Sequence, residues 1–157
     1  MKNYDSGNAF TFNKQLNDSV RDMIADFDGD YFVTAVFNRE VGLEGAKKSL
    51  QLWHNQINKK LYGNKWAGAD ANERLQYIAV PEHIGRNIHW HMVLKKADRK
   101  RGWKFMLFAE YLWKKKNKAG SMDVQKLVTV QDKEKVGYYV TKDTWQAQNY
   151  NNIILSS

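Results

Sequence analysis

No cysteine occurs in the 157 residues, which removes disulfides, thiolate metal ligands and a cysteine nucleophile at once. Histidine and carboxylate are left as the strong ligands, so any bound metal is a hard or borderline ion. Proline occurs once, at Pro81, and no apolar run approaches the roughly 20 residues that span a bilayer. The opening residues, Met1 to Asn8, lack the apolar stretch of a secretory signal. The expectation is a cytoplasmic chain with no membrane partner. The length fits one domain over residues 1–157 and leaves no room for an attached helicase.

Positive charge and aromatic surface are plentiful. Lys and Arg number 25 against 17 Asp and Glu, a formal charge of +8, and aromatics make up 13% of the chain. Cations attract phosphate and aromatic faces stack on bases, a pairing that favours single-stranded nucleic acid. Aromatic side chains more often fill cores, so composition leaves the question open.

The stretch richest in chemistry is Ile88-His89-Trp90-His91-Met92-Val93-Leu94. In a strand, a spacing of two puts both imidazoles on one face of the sheet. Leu75 to Glu82 is apolar and ends in a carboxylate, and Ile84-Gly85-Arg86-Asn87 reads as a turn. With those four residues as the loop of a hairpin, His83 faces Ile88, Glu82 faces His89 and Val80 faces His91. Glu82 then joins His89 and His91, a donor set that suits a divalent cation able to hold a substrate oxygen as well. An isolated His-x-His pair is more often a plain cross-strand feature; Glu82 on the same face shifts the balance towards a metal. Pro81 cannot donate to a ladder and marks an edge or a bulge. A one-residue bulge would turn Glu82 away and make His83 the third ligand.

Elsewhere the periodicity predicts the elements in turn. Residues 1–14 read as irregular, with Ala9-Phe10-Thr11-Phe12 as a short strand. Leu16, Val20, Met23, Ile24 and Phe27 recur at helical spacing over Gln15–Phe27, and Tyr31–Phe37 is a central strand buried on both faces, beside the histidine strand. Leu43–Tyr62 is a long helix burying Ala46, Leu50, Trp53, Ile57 and Leu61, with His54 as a surface or capping residue. Gly63–Ala71 is a loop. Phe105–Lys116 is a helix with Phe105, Phe108, Ala109 and Leu112 inward, Val124–Val130 a strand, and Gln131–Lys142 a further helix on which Tyr139 and Lys142 share a face. Ile153-Ile154-Leu155 is an edge strand or a tether for a partner. Strand, helix, strand, strand, helix, strand is the split βαβ pattern of ferredoxin-like α+β folds, a central antiparallel sheet with helices packed on one face.

Between the histidine strand and the next helix lies Lys95-Lys96-Ala97-Asp98-Arg99-Lys100-Arg101. A charge run is usually a solvated surface, yet Lys95, Lys96, Arg99, Lys100 and Arg101, with Arg86 of the turn, are candidates for a phosphate track beside the metal.

From Tyr31 to Lys142 the chain resembles the HUH endonucleases, the rolling-circle replication initiators of small plasmids, phages and single-stranded DNA viruses. Tyr31–Phe37 is similar to the family's first-motif strand, Glu82 with His89-Trp90-His91 to its metal motif, and Val136, Tyr139 and Lys142 to its third motif. The resemblance implies Mg²⁺ or Mn²⁺ held by His89, His91 and Glu82, with His83 in reserve, and Tyr139 as nucleophile assisted by Lys142. It implies attack on a scissile phosphate of single-stranded DNA at a replication origin, in or near a hairpin, leaving a 5′-phosphotyrosyl bond and a free 3′-OH. A second 3′-OH can reverse the step, so nicking and joining share one site. Tyr138 and Tyr139 point about 100° apart on a helix, and the motif register selects Tyr139, leaving Tyr138 a partly buried aromatic. Strand separation falls to a host helicase or to supercoiling, and the chain is expected to act as a monomer or weak dimer. Three other readings stay open: a single-tyrosine transposase, a basic single-strand binding module without catalysis, and a zinc hydrolase that needs no tyrosine.

Overall fold

The computed structural model describes residues 6–97, 101–142 and 151–156. Its elements are α1 (Ser6–Phe27), β1 (Tyr31–Val36), α2 (Leu43–Tyr62), β2 (Gln76–Glu82), β3 (His89–Lys95), α3 (Gly102–Lys116), β4 (Ser121–Lys126), α4 (Val130–Thr141) and β5 (Ile154–Leu155). The five strands form one antiparallel sheet in the order β4-β1-β3-β2-β5. The architecture is α+β and compatible with a ferredoxin-like arrangement. Among the described residues no helix is long and apolar enough to cross a membrane.

Helices cover both faces of the sheet, where the sequence pattern had led to the expectation of one. β1 explains why: Tyr31, Phe32, Val33 and Ala35 are all buried, so the strand presents apolar side chains to both sides and each side needs a cover. On one face Tyr31, Val33, Ala35, Trp90 and Met92 pack with α2 and α3. On the other Phe32, Ile78, Val80 and Val93 pack with Val20 and Ile24 of α1 and Val136 and Val140 of α4.

Among the described residues, three tryptophans are fully buried in the first layer. Each indole N–H has a carbonyl: Trp53 donates to Ala109 at 2.9 Å, Trp90 to Ala46 at 3.3 Å and Trp113 to Val36 at 3.0 Å. These bonds tie α2 to α3, β3 to α2 and α3 to β1, and they spare the cost of a buried donor without a partner. Much of the aromatic content therefore builds the core rather than a stacking surface.

Several expectations need correcting. Residues 9–12 belong to α1 rather than to a strand, and the helix starts at Ser6. β4 begins at Ser121, three residues before the expected start, because Gly120 turns the chain directly into pairing of Ser121 with Val36. It also ends early, since Thr129 caps α4 by accepting from the Asp132 N–H, which takes Val128 to Val130 out of the strand. Gly63–Ala71 is largely irregular but holds a short 3₁₀ turn at Trp66–Gly68, and another follows at Ala71–Glu73. His54 is buried, not superficial, with its Nε2 2.7 Å from the Leu75 carbonyl. The tail docks as an edge strand, with Ala79 opposite Ile154 and the Tyr77 N–H donating to Ser156 Oγ at 2.8 Å.

A candidate metal and tyrosine site on the histidine face

The hairpin keeps its register to the end: Val80 faces His91, Pro81 faces Trp90 and Glu82 faces His89. There is no bulge at Pro81. β5 reaches β2 only at Ile78 and Ala79, so beyond Ala79 the outer side of β2 is uncovered among the described residues, and there a proline forfeits no bond to β5. Glu82 therefore stays on the histidine face.

His91 is 5% exposed and bonded at both nitrogens. Its Nε2 lies 2.6 Å from Glu82 Oε2 and its Nδ1 3.2 Å from Thr34 Oγ1. His89 is half-buried, its ring 6.4 Å from that of His91 and 5.2 Å from that of His83. His83 takes a left-handed backbone, φ 57°, which breaks the strand alternation that would have sent it to the opposite face. Its Nε2 comes to 3.8 Å from Glu82 Oε2. One ligand atom from each of Glu82, His83 and His89 lies within 4.8 Å of the others.

The three ligand atoms that lie within reach of one another thus belong to Glu82, His83 and His89, whereas the sequence motif put His89 and His91 with Glu82 and kept His83 in reserve. His91 joins through its contact with Glu82. Carboxylate and imidazole donors suit a divalent ion. Two ligands about 2.1 Å from an octahedral ion sit about 3 Å apart, a spacing between the 2.6 Å and 3.8 Å contacts that Glu82 makes with His91 and His83. Desolvation, then the neighbouring His83 and His91 imidazoles, hold the His89 pKa below its ordinary value. That keeps the ring in the neutral form a metal needs. The residues present fit a metal ion.

Tyr139 reaches this face from α4. Val136 and Val140 anchor that helix on the sheet, and Arg21 of α1 donates to Thr141 Oγ1 at 2.8 Å. Between the two valines, Tyr139 turns its ring to His91, centroids 5.3 Å apart, and to Phe32 at 5.7 Å. It remains 43% exposed. The Lys142 ammonium sits 4.0 Å above the Tyr139 ring. Tyr138 points elsewhere, as the 100° step requires, and is exposed under the Arg21 guanidinium rather than partly buried. A cleft of about 480 Å³ opens beside Tyr139, lined among others by Thr34, Asp123, Gln125, Lys126 and Lys135.

The expected phosphate track is only partly at this place. Arg86 is exposed in the turn, its N–H bonded to the His83 carbonyl at 3.1 Å. Lys95 stands at the far end of β3, four residues or about 14 Å along the strand from His91. Lys96 lies over the Tyr31 ring and Arg101 over the Tyr62 ring, on the α2 and α3 side. Arg99 and Lys100 lie outside the described residues.

Motif spacing passes over Thr34 and Phe32. Thr34 is the single aliphatic hydroxyl in the run Tyr31–Phe37 and pairs directly with His91, a cross-strand relation visible only once the register of β1 against β3 is known. Phe32 stacks near-parallel to His91 at 5.9 Å and touches Tyr139, joining the two. Comparison with protein families, with curated proteins and with solved structures finds no match.

Proposed function

We propose that the chain is a metal-dependent endonuclease that nicks and rejoins single-stranded DNA through Tyr139, and that it starts rolling-circle replication as the HUH proteins its motifs resemble do. The split βαβ topology, with a terminal helix carrying the nucleophile, belongs to the same reading. The observation that carries it is the convergence of Tyr139, from α4, on the group formed by Glu82, His83, His89 and His91 at the end of the hairpin. A phenol with its ring packed and its edge in solvent is positioned as a nucleophile is.

Glu82, His89 and His83 or His91 would hold Mg²⁺ or Mn²⁺, which when bound draws charge from the phosphate oxygens. Phe32 and His91 hold the Tyr139 ring, so the hydroxyl reaches a phosphate from one direction only. The Tyr139 oxygen bonds to phosphorus, the bond from phosphorus to the 3′ oxygen breaks, and the hydroxyl proton passes to solvent. The 3′ oxygen leaves as a hydroxyl after taking a proton from water. Lys142 sets an ammonium beside the accumulating negative charge. In the reverse step a 3′-OH attacks the phosphotyrosine, which restores the diester and frees Tyr139.

The test is incubation of wild type and Tyr139→Phe with single-stranded oligonucleotides that cover the replicon encoding the chain, with Mn²⁺ or EDTA, followed by a denaturing gel. A Mn²⁺-dependent protein-DNA adduct absent from Tyr139→Phe supports the proposal. Tight binding without any adduct would make the chain a single-strand binding module instead.

A further inference from the structure

The face of the sheet away from Tyr139 carries a second feature, a groove of about 450 Å³ between α2 and α3. Phe108, Tyr111 and Leu112 give it apolar walls, and Lys59, Lys60 and Lys115 line its rim with no carboxylate among the lining residues. Beside it, Trp103, Leu107 and Tyr111 are 63%, 59% and 59% exposed. Spaced four apart, they form one apolar stripe along the outside of α3. Gln56 Oε1, from another lining residue, is buried with no hydrogen-bond partner among the described residues.

We infer that this groove docks an acidic amphipathic helix of a partner protein. The apolar stripe takes the helix's apolar face and the three lysines take its carboxylates. A nucleic acid fits less well. The Phe108 ring is already covered by the Lys60 ammonium at 4.5 Å, and Leu107 separates the exposed rings of Trp103 and Tyr111, so the stripe is a mixed aliphatic and aromatic face rather than a continuous stacking platform. A second copy of the chain fits less well again, because two chains of formal charge +8 repel. Since α2 and α3 pack on the opposite face from α4, an occupant of the groove leaves the histidine face open. The inference stands apart from the proposed activity, and its test needs no catalysis.

The probe is a fluorescein-labelled synthetic peptide of about 18 residues, five helical turns, with Leu and Phe on one face and Glu elsewhere. A scrambled peptide of equal composition and an oligothymidylate of about 20 nucleotides are the controls. Fluorescence polarisation is expected to give the patterned peptide about tenfold tighter binding than the scrambled one, a difference of about 1.4 kcal/mol. Leu107→Asp, or Lys59→Glu with Lys115→Glu, is expected to weaken it about tenfold while oligothymidylate binding holds. These side chains are exposed, and Tyr111→Ala supplies a milder variant of the same stripe. Equal binding of the two peptides, or affinity unmoved by all three variants, would overturn the inference. So would loss of oligothymidylate binding in the lysine variant, which makes the groove a nucleic-acid track. A sedimenting dimer abolished by Leu107→Asp would make it an interface between copies instead.

Discussion

The Tyr139 ring stands edge-on to the His91 imidazole, centroids 5.3 Å apart and planes at 88°. His91 in turn holds Glu82 at 2.6 Å, so the phenol and the carboxylate are joined through one buried imidazole. Packing of Tyr139 and placement of the ligand group are therefore one structural problem.

Tyr139→Phe keeps the ring and its contacts with Phe32 and His91 and removes only the hydroxyl. Its melting temperature is expected within about 2 °C of wild type, the size of a surface change, with the covalent adduct abolished. Tyr138→Phe, at a ring turned away under Arg21, is expected to form the adduct at the wild-type rate. Calorimetry with a denaturing gel reads both, and an adduct on Tyr139→Phe would reject Tyr139 as nucleophile.

Mn²⁺ is expected to raise the melting temperature of wild type by on the order of 5–10 °C at a hundredfold excess over Kd. His83→Ala and His89→Ala should each lose most of that shift with little change in the metal-free melting temperature, because His83 is exposed and His89 half-buried. His91→Ala differs: it leaves the largely buried Glu82 carboxylate without its close partner and is expected to cost about 1–3 kcal/mol even without metal. A full Mn²⁺ shift in His83→Ala would return the ligand set to Glu82, His89 and His91.

His54 makes stability depend on pH. A carbonyl only accepts, so His54 Nε2 carries the proton it gives to Leu75, and desolvation holds the imidazole pKa below its ordinary value. The second ring proton, at Nδ1, is taken up by the unfolded chain at higher pH than by the folded one. The contribution of His54 is therefore complete above pH about 6.5 and lost as pH falls below that towards the lowered folded value. His54→Gln keeps a donor and removes the titration. Urea titrations between about pH 7.5 and 5 should fall less steeply in that variant, and identical slopes would exclude His54 as the source.

Gly120→Ala tests the turn that starts β4 early. A Cβ there would lie 2.8 Å from the Val36 carbonyl oxygen, 3.0 Å from that of Asn117 and 2.8 Å from Trp113 Nε1. Backbone must shift and the Trp113 bond to Val36 weakens, for an expected loss of about 1–3 kcal/mol in urea denaturation. Wild-type stability would mean that the turn relaxes freely.

Local pattern made much of this legible. Leu43–Tyr62 matches α2 end for end, because its apolar residues keep helical spacing and Gly42 and Gly63 flank them. The hairpin register followed from the turn residues and from alternation around two histidines. β4 was misjudged because Val128 and Val130 look like strand residues while Thr129 and Asp132 form a helix cap, and the cap's hydrogen bonds win. His54 was misjudged because one polar residue on a helix carries no sign of what covers it.

By itself the sequence determined α2, β1 and the β2–β3 hairpin, whose register puts Glu82, His89 and His91 on one face unless Pro81 forms a bulge, since these depend on the periodicity of short segments and on one turn. Tertiary structure alone decided three things: that His83, through a left-handed backbone, comes within reach of Glu82; that Thr34 backs His91; and that α4 lays Tyr139 against it. The first rests on one backbone angle at the end of β2, which the side-chain pattern does not reveal, and the other two on distances between segments far apart in the chain, set by which faces must be buried together.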